Sequence, residues 1–234
     1  LCQKYIPLCA AMSTVCEGIA KEYERNFGVK SVVITNATDF KDLKPVETKG
    51  NLIRMIHHGA AIAERHIDLM ISMMDLLDER FSLDLMLIPT QPEYLEEIKE
   101  MIKDKSNIRL LPPVATEEIS SFTNGYDIGL FLLPPVNFNY EYALPNKLFE
   151  FIQARLAIAI GPSPEMARFV KTYDLGVIAD DFTPEALAKK IQALDKPAIA
   201  HFKAQAHKHA LELSSERNRQ KIKEVVEALL SGKK

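Results

Sequence analysis

The feature that most constrains the fold of this chain is an alternation between short apolar runs and longer segments with helical spacing. The apolar runs are seven candidate strands: 31–35, 51–57, 83–88, 108–111, 128–133, 156–160 and 176–179. Most are apolar throughout, which is typical of strands buried on both faces of a parallel sheet. Apolar residues between them recur at spacings of three and four, which predicts helices. The pattern therefore predicts an α/β fold built on a doubly wound parallel sheet.

Composition narrows the possible functions. The chain has 234 residues, of which 47% are apolar, enough for one large core or two modest ones. Its 29 basic and 32 acidic residues give a net charge of −3, so nucleic acid is not an expected partner. No apolar run approaches the roughly 18–20 residues that span a bilayer, so no transmembrane segment is expected. No signal peptide is recognisable at the start.

Cysteine and histidine positions argue against a metal centre. The three cysteines, Cys2, Cys9 and Cys16, form no Cys-x-x-Cys pair. We interpret them as buried small side chains in a reducing cytoplasm. His57 and His58 match no familiar ligand spacing, and adjacent strand residues point to opposite faces. No metal and no cofactor are expected.

The chain divides at two polar boundaries. Residues 1–46 hold one helical segment, one strand and a polar linker that contains Pro45, whereas 47–196 carry the alternating body. Residues 197–234 are helical in pattern. Residues 1–46, which we call the N-terminal head, are too few for a domain of their own. Either it packs on the body, or it is the end of a domain that lies outside this sequence.

Ligands of open α/β sheets bind beyond the carboxyl ends of the strands, which makes the following loops candidate sites. The loop that ends at Pro145 is the most informative, because proline suits the first position of a helix. The backbone N–H groups of Asn146, Lys147 and Leu148 would then be free to bind an anion. Lys147 adds a full positive charge at that helix end. Its position is explained if an anion such as a diphosphate binds there.

Three further residues have two interpretations each. Glu150 could accept hydrogen bonds from a pair of sugar hydroxyls. Alternatively, it could form a surface ion pair with Lys147 worth ~0.2–0.5 kcal/mol, and the spacing alone favours this ion pair. Gly59 would let a ligand approach the strand end closely. Arg65 could bind a phosphate with two hydrogen bonds. The alternative is an ordinary strand-end glycine and a solvated arginine.

Several common catalytic signatures are absent from the sequence. It contains no Gly-x-Gly-x-x-Gly fingerprint and no Gly-x(4)-Gly-Lys-Ser/Thr loop. It also lacks a Gly-x-Ser-x-Gly elbow. Dinucleotide oxidoreductases, P-loop enzymes and α/β-hydrolases therefore lose their main support.

Residues 143–152, ALPNKLFEFI, and 156–161, LAIAIG, together resemble the donor-site signature of GT-B glycosyltransferases. They are most similar to the family 4 type of bacterial polysaccharide synthesis, in which a PNKxxEY helix precedes an apolar strand. Segments 36–39, 56–65 and 164–177 resemble other parts of that family in the same order, so the resemblance covers essentially the whole chain. It implies a Rossmann-like donor domain, a remnant of the acceptor domain, and C-terminal helices that pack back toward the N-terminal part.

The resemblance implies roles position by position. Glu150 would bind the ribose of a nucleotide sugar, while Lys147 and Arg65 would stabilise the diphosphate leaving group. The resemblance implies that seven other residues contact the diphosphate, the sugar or the base: His58, Gly59, Pro113, Val114, Tyr142, Asn146 and Leu148. Two positions depart from the family pattern. Tyr142 replaces a second glutamate, and Ala60 replaces a phosphate-binding arginine.

The implied activity is hexosyl transfer from a nucleotide-diphospho-sugar to an acceptor hydroxyl, with retention, in polysaccharide or glycoconjugate synthesis. A saccharide or lipid-linked acceptor would bind mainly to an N-terminal domain outside this sequence, so the chain alone is expected to be inactive. We expect a cytoplasmic protein, which a lipid-linked acceptor would bring to the inner membrane face. Two alternatives stay open: a nucleotide-sugar epimerase of the same fold, and a non-catalytic nucleotide-sugar-binding subunit, which Tyr142 and Ala60 favour.

Overall fold

The computed structural model describes residues 2–231, so residues 1 and 232–234 of the two predicted end segments lie outside it. The strands are β1 Ser13–Thr14, β2 Val32–Val33, β3 Ile53–Ala60, β4 Phe81–Ile88, β5 Ile108–Leu111, β6 Ile128–Phe131, β7 Ala157–Ile160 and β8 Gly176–Ile178. The helices are α1 Cys2–Tyr5, α2 Glu17–Phe27, α3 Ile67–Met74, α4 Pro92–Ile102, α5 Ile119–Thr123, α6 Phe138–Glu141, α7 Asn146–Gln153, α8 Pro164–Tyr173, α9 Pro184–Gln192, α10 Lys196–His209 and α11 Ser215–Leu230.

Six of these strands form one parallel sheet, which confirms the predicted doubly wound α/β fold. The strand order is β5-β4-β3-β6-β7-β8, and every neighbouring pair is parallel. The chain winds outward from β3 to β5 and then returns to β6 on the other side of β3. The carboxyl ends of β3 and β6, at Ala60 and Phe131, therefore flank the switch point where such sheets bind ligands.

The sheet separates two apolar cores. Met55 packs in one core with residues of α3, α4 and α9, whereas its neighbour Ile56 packs in the other with residues of α7 and α8. This follows from the two-residue period of a strand that is buried on both faces. Helix α7 is the most deeply packed of these helices, since every residue after Asn146 is buried. Its position relative to the sheet is thereby fixed.

Helix α7 lies close to β6 because β6 has no side chain at the point of contact. A Cβ atom added to Gly129 would lie 2.4 Å from the ring of Phe151, well inside van der Waals contact. The Phe151 ring also meets the His58 ring edge to face, with 5.2 Å between centroids. Packing at Gly129 therefore sets the distance between α7 and β3.

We expect Gly129→Ala to lower the free energy of unfolding by about 1–3 kcal/mol, the usual cost of overpacking a core. Urea denaturation of the two proteins measures this difference. Adding Phe151→Leu to the variant should recover part of the loss, because the smaller side chain leaves room for the new methyl group. An unchanged stability in Gly129→Ala would show that the close approach is not a constraint.

All seven predicted strands are present, and all but the strand at 108–111 have shifted ends. The run predicted at 51–57 extends to Ala60, and the run predicted at 128–133 ends at Phe131. The short elements β1, α1, α5 and α6 were not predicted. The C-terminal helical segment is interrupted after His209 and resumes at Ser215. The prediction of three buried cysteines is wrong, because Cys16 alone is buried while Cys2 and Cys9 are exposed.

The N-terminal head contacts the body of the protein. Strands β1 and β2 form a separate two-stranded parallel sheet. The first turn of α2 is held by the body, since the Gly18 N–H donates to Glu165 Oε1 at 2.7 Å. The linker is held as well, because Arg155 Nη2 donates to the Lys41 carbonyl oxygen at 2.6 Å. No helix within residues 2–231 is long and apolar enough to cross a membrane.

Candidate functional site

Two cationic side chains meet over a glycine at the carboxyl end of β3. Gly59 has a φ of 137°, a conformation that favours glycine. A Cβ atom added there would lie 3.4 Å from both Arg65 Nη1 and Lys147 Nζ. Arg65 ends the short helical turn Ala63–Arg65, and Lys147 lies in the first turn of α7. We call Gly59, Arg65 and Lys147 the cation cradle.

The cation cradle contains no acidic partner. Within residues 2–231, neither Arg65 nor Lys147 forms an ion pair with a carboxylate. Burial and the neighbouring Arg65 charge hold the pKa of Lys147 well below its ordinary value, and Glu150 opposes this shift. A bound anion would offset both causes, because it would place a negative charge beside the two cations. The arrangement is therefore suited to an anion.

The start of α7 differs from the prediction in one respect. Pro145 precedes the helix as its N-cap residue rather than occupying the first helical position, with extended backbone angles of −78° and 158°. Its carbonyl oxygen accepts a hydrogen bond from the Leu148 N–H at 3.2 Å. The prediction of a free Leu148 N–H is therefore wrong. The N–H groups of Asn146 and Lys147 remain at the helix start, where no side chain caps them.

The Lys147 ammonium group is held by neutral side chains. Its Nζ lies 3.4 Å from His57 Nε2 and 3.8 Å from the centroid of the Phe131 ring. The sequence suggests His57 only as a metal ligand, which its spacing excludes, and indicates no role for Phe131. Phe131 ends β6 and His57 lies three residues before the end of β3, so their nearness to the switch point is the signal that could have identified them.

Glu150 lies three residues after Lys147 on α7 and faces His58. Glu150 Oε2 is 3.5 Å from His58 Nε2, but that nitrogen makes no hydrogen bond. Burial raises the pKa of Glu150, and burial together with Lys147 lowers the pKa of His58 to about 3. The alternative of a surface ion pair between Lys147 and Glu150 is wrong, because both side chains are buried and each faces a different histidine. Two buried polar groups therefore face each other without a hydrogen bond.

A cleft of about 300 Å³ extends from the cation cradle to the N-terminal head. Lys147, Tyr142 and Ile19 are among its lining residues. A Cβ atom added to Gly18 would lie 2.1 Å from the Tyr142 ring. The ring therefore occupies the space that a side chain at residue 18 would need. The aromatic side chain at this position therefore packs against the head, in the place where the family pattern has a glutamate.

Two predicted site residues lie away from this cleft. Pro113 is exposed and Val114 is half-buried, both in the loop after the edge strand β5. Val114 packs against the core that contains α7. Their predicted position beside a nucleotide base stays a prediction. Residues 2–231 contain no group of three or more His, Cys, Asp or Glu side chains placed to bind a metal ion.

Comparison with known proteins supports the fold. No protein-family model matches the sequence, and no curated protein matches it significantly. A Rickettsia africae glycosyltransferase superposes with a TM-score of 0.76 at 15% identity, over 97% of this chain and 66% of that one. Anabaena HepE in complex with UDP and glucose gives 0.75 at 13% identity, over 94% and 64%. Staphylococcus aureus TarM in complex with UDP gives 0.73 at 14% identity, over 92% and 43%.

The chain thus spans between 43% and 66% of the length of these structures, while they cover nearly all of its own residues. The chain therefore has the fold of the Rossmann-like domains found in GT-B glycosyltransferases.

Proposed function

We propose that this chain is the donor-binding half of a glycosyltransferase, which binds a nucleotide-diphospho-sugar and passes the sugar to an acceptor hydroxyl. The observation that carries the proposal is the cation cradle, in which two cations that pair with no carboxylate of residues 2–231 converge at the switch point of the sheet. The structures of HepE and TarM contain UDP, and so does that of the pneumococcal O-GlcNAc transferase GtfA. This supports UDP as the first nucleotide to test.

The cation cradle would act on the leaving group. When the bond between the sugar and the phosphate breaks, negative charge develops on the departing diphosphate. Arg65, Lys147 and the free N–H groups at the start of α7 place positive charge and hydrogen-bond donors where that charge appears. Such preorganised electrostatic stabilisation is usually the largest single contribution to catalysis.

Glu150 and His58 would bind the ribose. A carboxylate with no hydrogen bond in a buried position can accept from two vicinal hydroxyls. The unpartnered His58 Nε2 faces the same space and offers a further contact. This pair lies on β3 and α7, as Gly59 and Lys147 of the cation cradle do, so these two elements would contact both the ribose and the diphosphate of one nucleotide.

We expect Glu150→Gln to weaken UDP binding by about 1–3 kcal/mol, because the charged acceptor of a hydroxyl pair is lost. Isothermal titration calorimetry measures the change, with the exposed Glu185→Gln as a matched control. The variant should also bind UDP and 2′-deoxy-UDP with nearly equal affinity, whereas the unmodified chain should prefer UDP. A full preference for UDP in the variant would place the ribose elsewhere.

The proposal itself is tested by titrating the 234-residue chain with UDP, GDP, inorganic pyrophosphate and uridine. We expect binding of at least one nucleoside diphosphate, weaker binding of pyrophosphate and none of uridine, since the cation cradle recognises the diphosphate. Binding of uridine with the same affinity as UDP, or no binding of either diphosphate, would overturn it.

The acceptor and the setting belong to the same proposal. WaaG, which matches with a TM-score of 0.66 at 14% identity, is a glycosyltransferase involved in lipopolysaccharide biosynthesis. This supports a role in cell-surface polysaccharide or glycoconjugate synthesis, on the cytoplasmic side of the membrane, with a saccharide or lipid-linked acceptor. The acceptor would be bound mainly by a further domain, to which the head would belong.

A second candidate function, a non-catalytic nucleotide-sugar-binding subunit, is favoured by Tyr142. Its ring packs against the head at the position where the family pattern has a second glutamate. Donor turnover separates the candidates. Sugar transfer that requires an acceptor supports the transferase, conversion of the donor alone indicates an epimerase, and binding without any turnover supports the subunit.

A further inference from the structure

The tautomer of His57 follows from its surroundings. His57 is completely buried, and its Nδ1 lies 3.0 Å from the carbonyl oxygen of Leu130. A carbonyl oxygen can only accept, so Nδ1 must carry the proton and donate it. Nε2 then has a free lone pair and can only accept. Among residues 2–231, its one neighbour at hydrogen-bond distance is Lys147 Nζ, at 3.4 Å.

His57 is itself held in place by β6. Its ring stacks on the Phe131 ring, with 5.7 Å between centroids and 28° between planes. The same Phe131 ring lies 3.8 Å from Lys147 Nζ. The lysine therefore has an imidazole lone pair and an aromatic face as neighbours, and both attract a cation.

These neighbours have one property in common, which is that both are neutral. A carboxylate in place of His57 would also hold the ammonium group, but it would cancel the charge and compete with a bound anion. A neutral acceptor orients the group and leaves its full charge available. A protonated His57 would add a third cation beside Arg65 and Lys147, and burial and the Lys147 charge disfavour it by holding the pKa of His57 well below its ordinary value.

We propose that His57 is a positioning residue, which as the neutral Nδ1-protonated tautomer holds the Lys147 ammonium over Gly59 and so completes the diphosphate site. The inference rests on the proposed function. His57 acts through Lys147 and makes no contact with substrate.

The test is a double-mutant cycle on the full 234-residue chain, with UDP and inorganic pyrophosphate as probes in calorimetry. His57→Phe keeps a ring that can stack on Phe131 but removes the acceptor, and it should weaken binding of both probes about tenfold, the effect of one hydrogen bond to a charged group. The same change made in a Lys147→Met background should have no further effect. A purely structural role for His57 would instead give the same loss in both backgrounds.

Two further variants complete the design. His57→Gln places an amide oxygen near the position of Nε2 and should recover most of the affinity that His57→Phe loses. His201→Gln changes an exposed histidine on α10 and should bind both probes like the unmodified chain. Unchanged affinity in His57→Phe, or a loss that persists in the Lys147→Met background, overturns the inference.

The outcomes separate this inference from the proposed function. If the unmodified chain binds neither UDP nor pyrophosphate, the proposed function fails. If the unmodified chain binds both probes, and Lys147→Met abolishes this binding while His57→Phe does not, the diphosphate site is supported and the role inferred for His57 is wrong. If His57→Phe is poorly folded by circular dichroism, the comparison of His57→Gln with the unmodified chain decides, since equal affinities support the inference and a tenfold loss contradicts it.

Discussion

Replacing Lys147 with methionine should weaken UDP binding by about 1.5–3 kcal/mol and at the same time leave the chain at least as stable as before. The loss of affinity follows from the removal of a charged hydrogen-bond donor to the diphosphate. The stability result follows from burial, because a lysine with a strongly lowered pKa and no acidic partner opposes folding. Calorimetry and urea denaturation measure the two effects on the same protein.

The pH dependence of stability gives a second signature of Lys147. Its pKa is lower in the folded chain than the value of about 10.4 in unfolded chains, so the unfolded state binds more protons between these values. The contribution of Lys147 to stability should therefore increase as the pH rises through that range. Lys147→Met should lack this increase, whereas Lys171→Met, at an exposed position of α8, should keep it. For the binding prediction, an unchanged UDP affinity in Lys147→Met would contradict the assignment of Lys147 to the diphosphate site.

Replacing Gly59 with valine should abolish detectable UDP binding, a loss of more than about 100-fold. The new side chain would begin 3.4 Å from both Arg65 Nη1 and Lys147 Nζ, so its methyl groups would occupy the space proposed for the diphosphate. The φ of 137° at this position is also strained for a β-branched residue, at a cost of about 1–3 kcal/mol. We therefore expect a lower free energy of unfolding as well.

Two variants distinguish a blocked binding site from impaired folding as the cause of weaker UDP binding. Gly59→Ala carries a smaller side chain and should lose less affinity than Gly59→Val. Gly125→Ala is the matched control, because a Cβ atom there meets nothing within 4 Å and should leave UDP binding unchanged. A folded Gly59→Val protein that binds UDP normally would show that the ligand does not approach this strand end.

The fold was largely predictable because its determinants are local. Strands such as Ala157–Ile160 are short and apolar throughout, and all four residues of this strand are buried, as that pattern indicates. The short helix Phe138–Glu141 was not predicted, since a four-residue helix has no periodicity to detect. Its N-cap, where Asn137 accepts a hydrogen bond from the Tyr140 N–H, depends on one side-chain contact.

The cation cradle was predictable in composition but not in detail. Gly59, Arg65 and Lys147 were expected at one edge because parallel strands end at the same edge of a sheet. The burial of Glu150 was not expected, because spacing on a helix does not reveal that the helix is covered on nearly all sides. The role inferred for His57 depends on a carbonyl group of β6 and a lysine of α7, which are 73 and 90 residues away in sequence.

The most direct measurement is an electron-density map of the chain crystallised with a bound nucleoside diphosphate. The account predicts that the two phosphates lie over Gly59, between Arg65 and Lys147, with the first N–H groups of α7 donating to them and the ribose hydroxyls at Glu150. Phosphates found in another part of the molecule, with the cation cradle unchanged beside them, would contradict it.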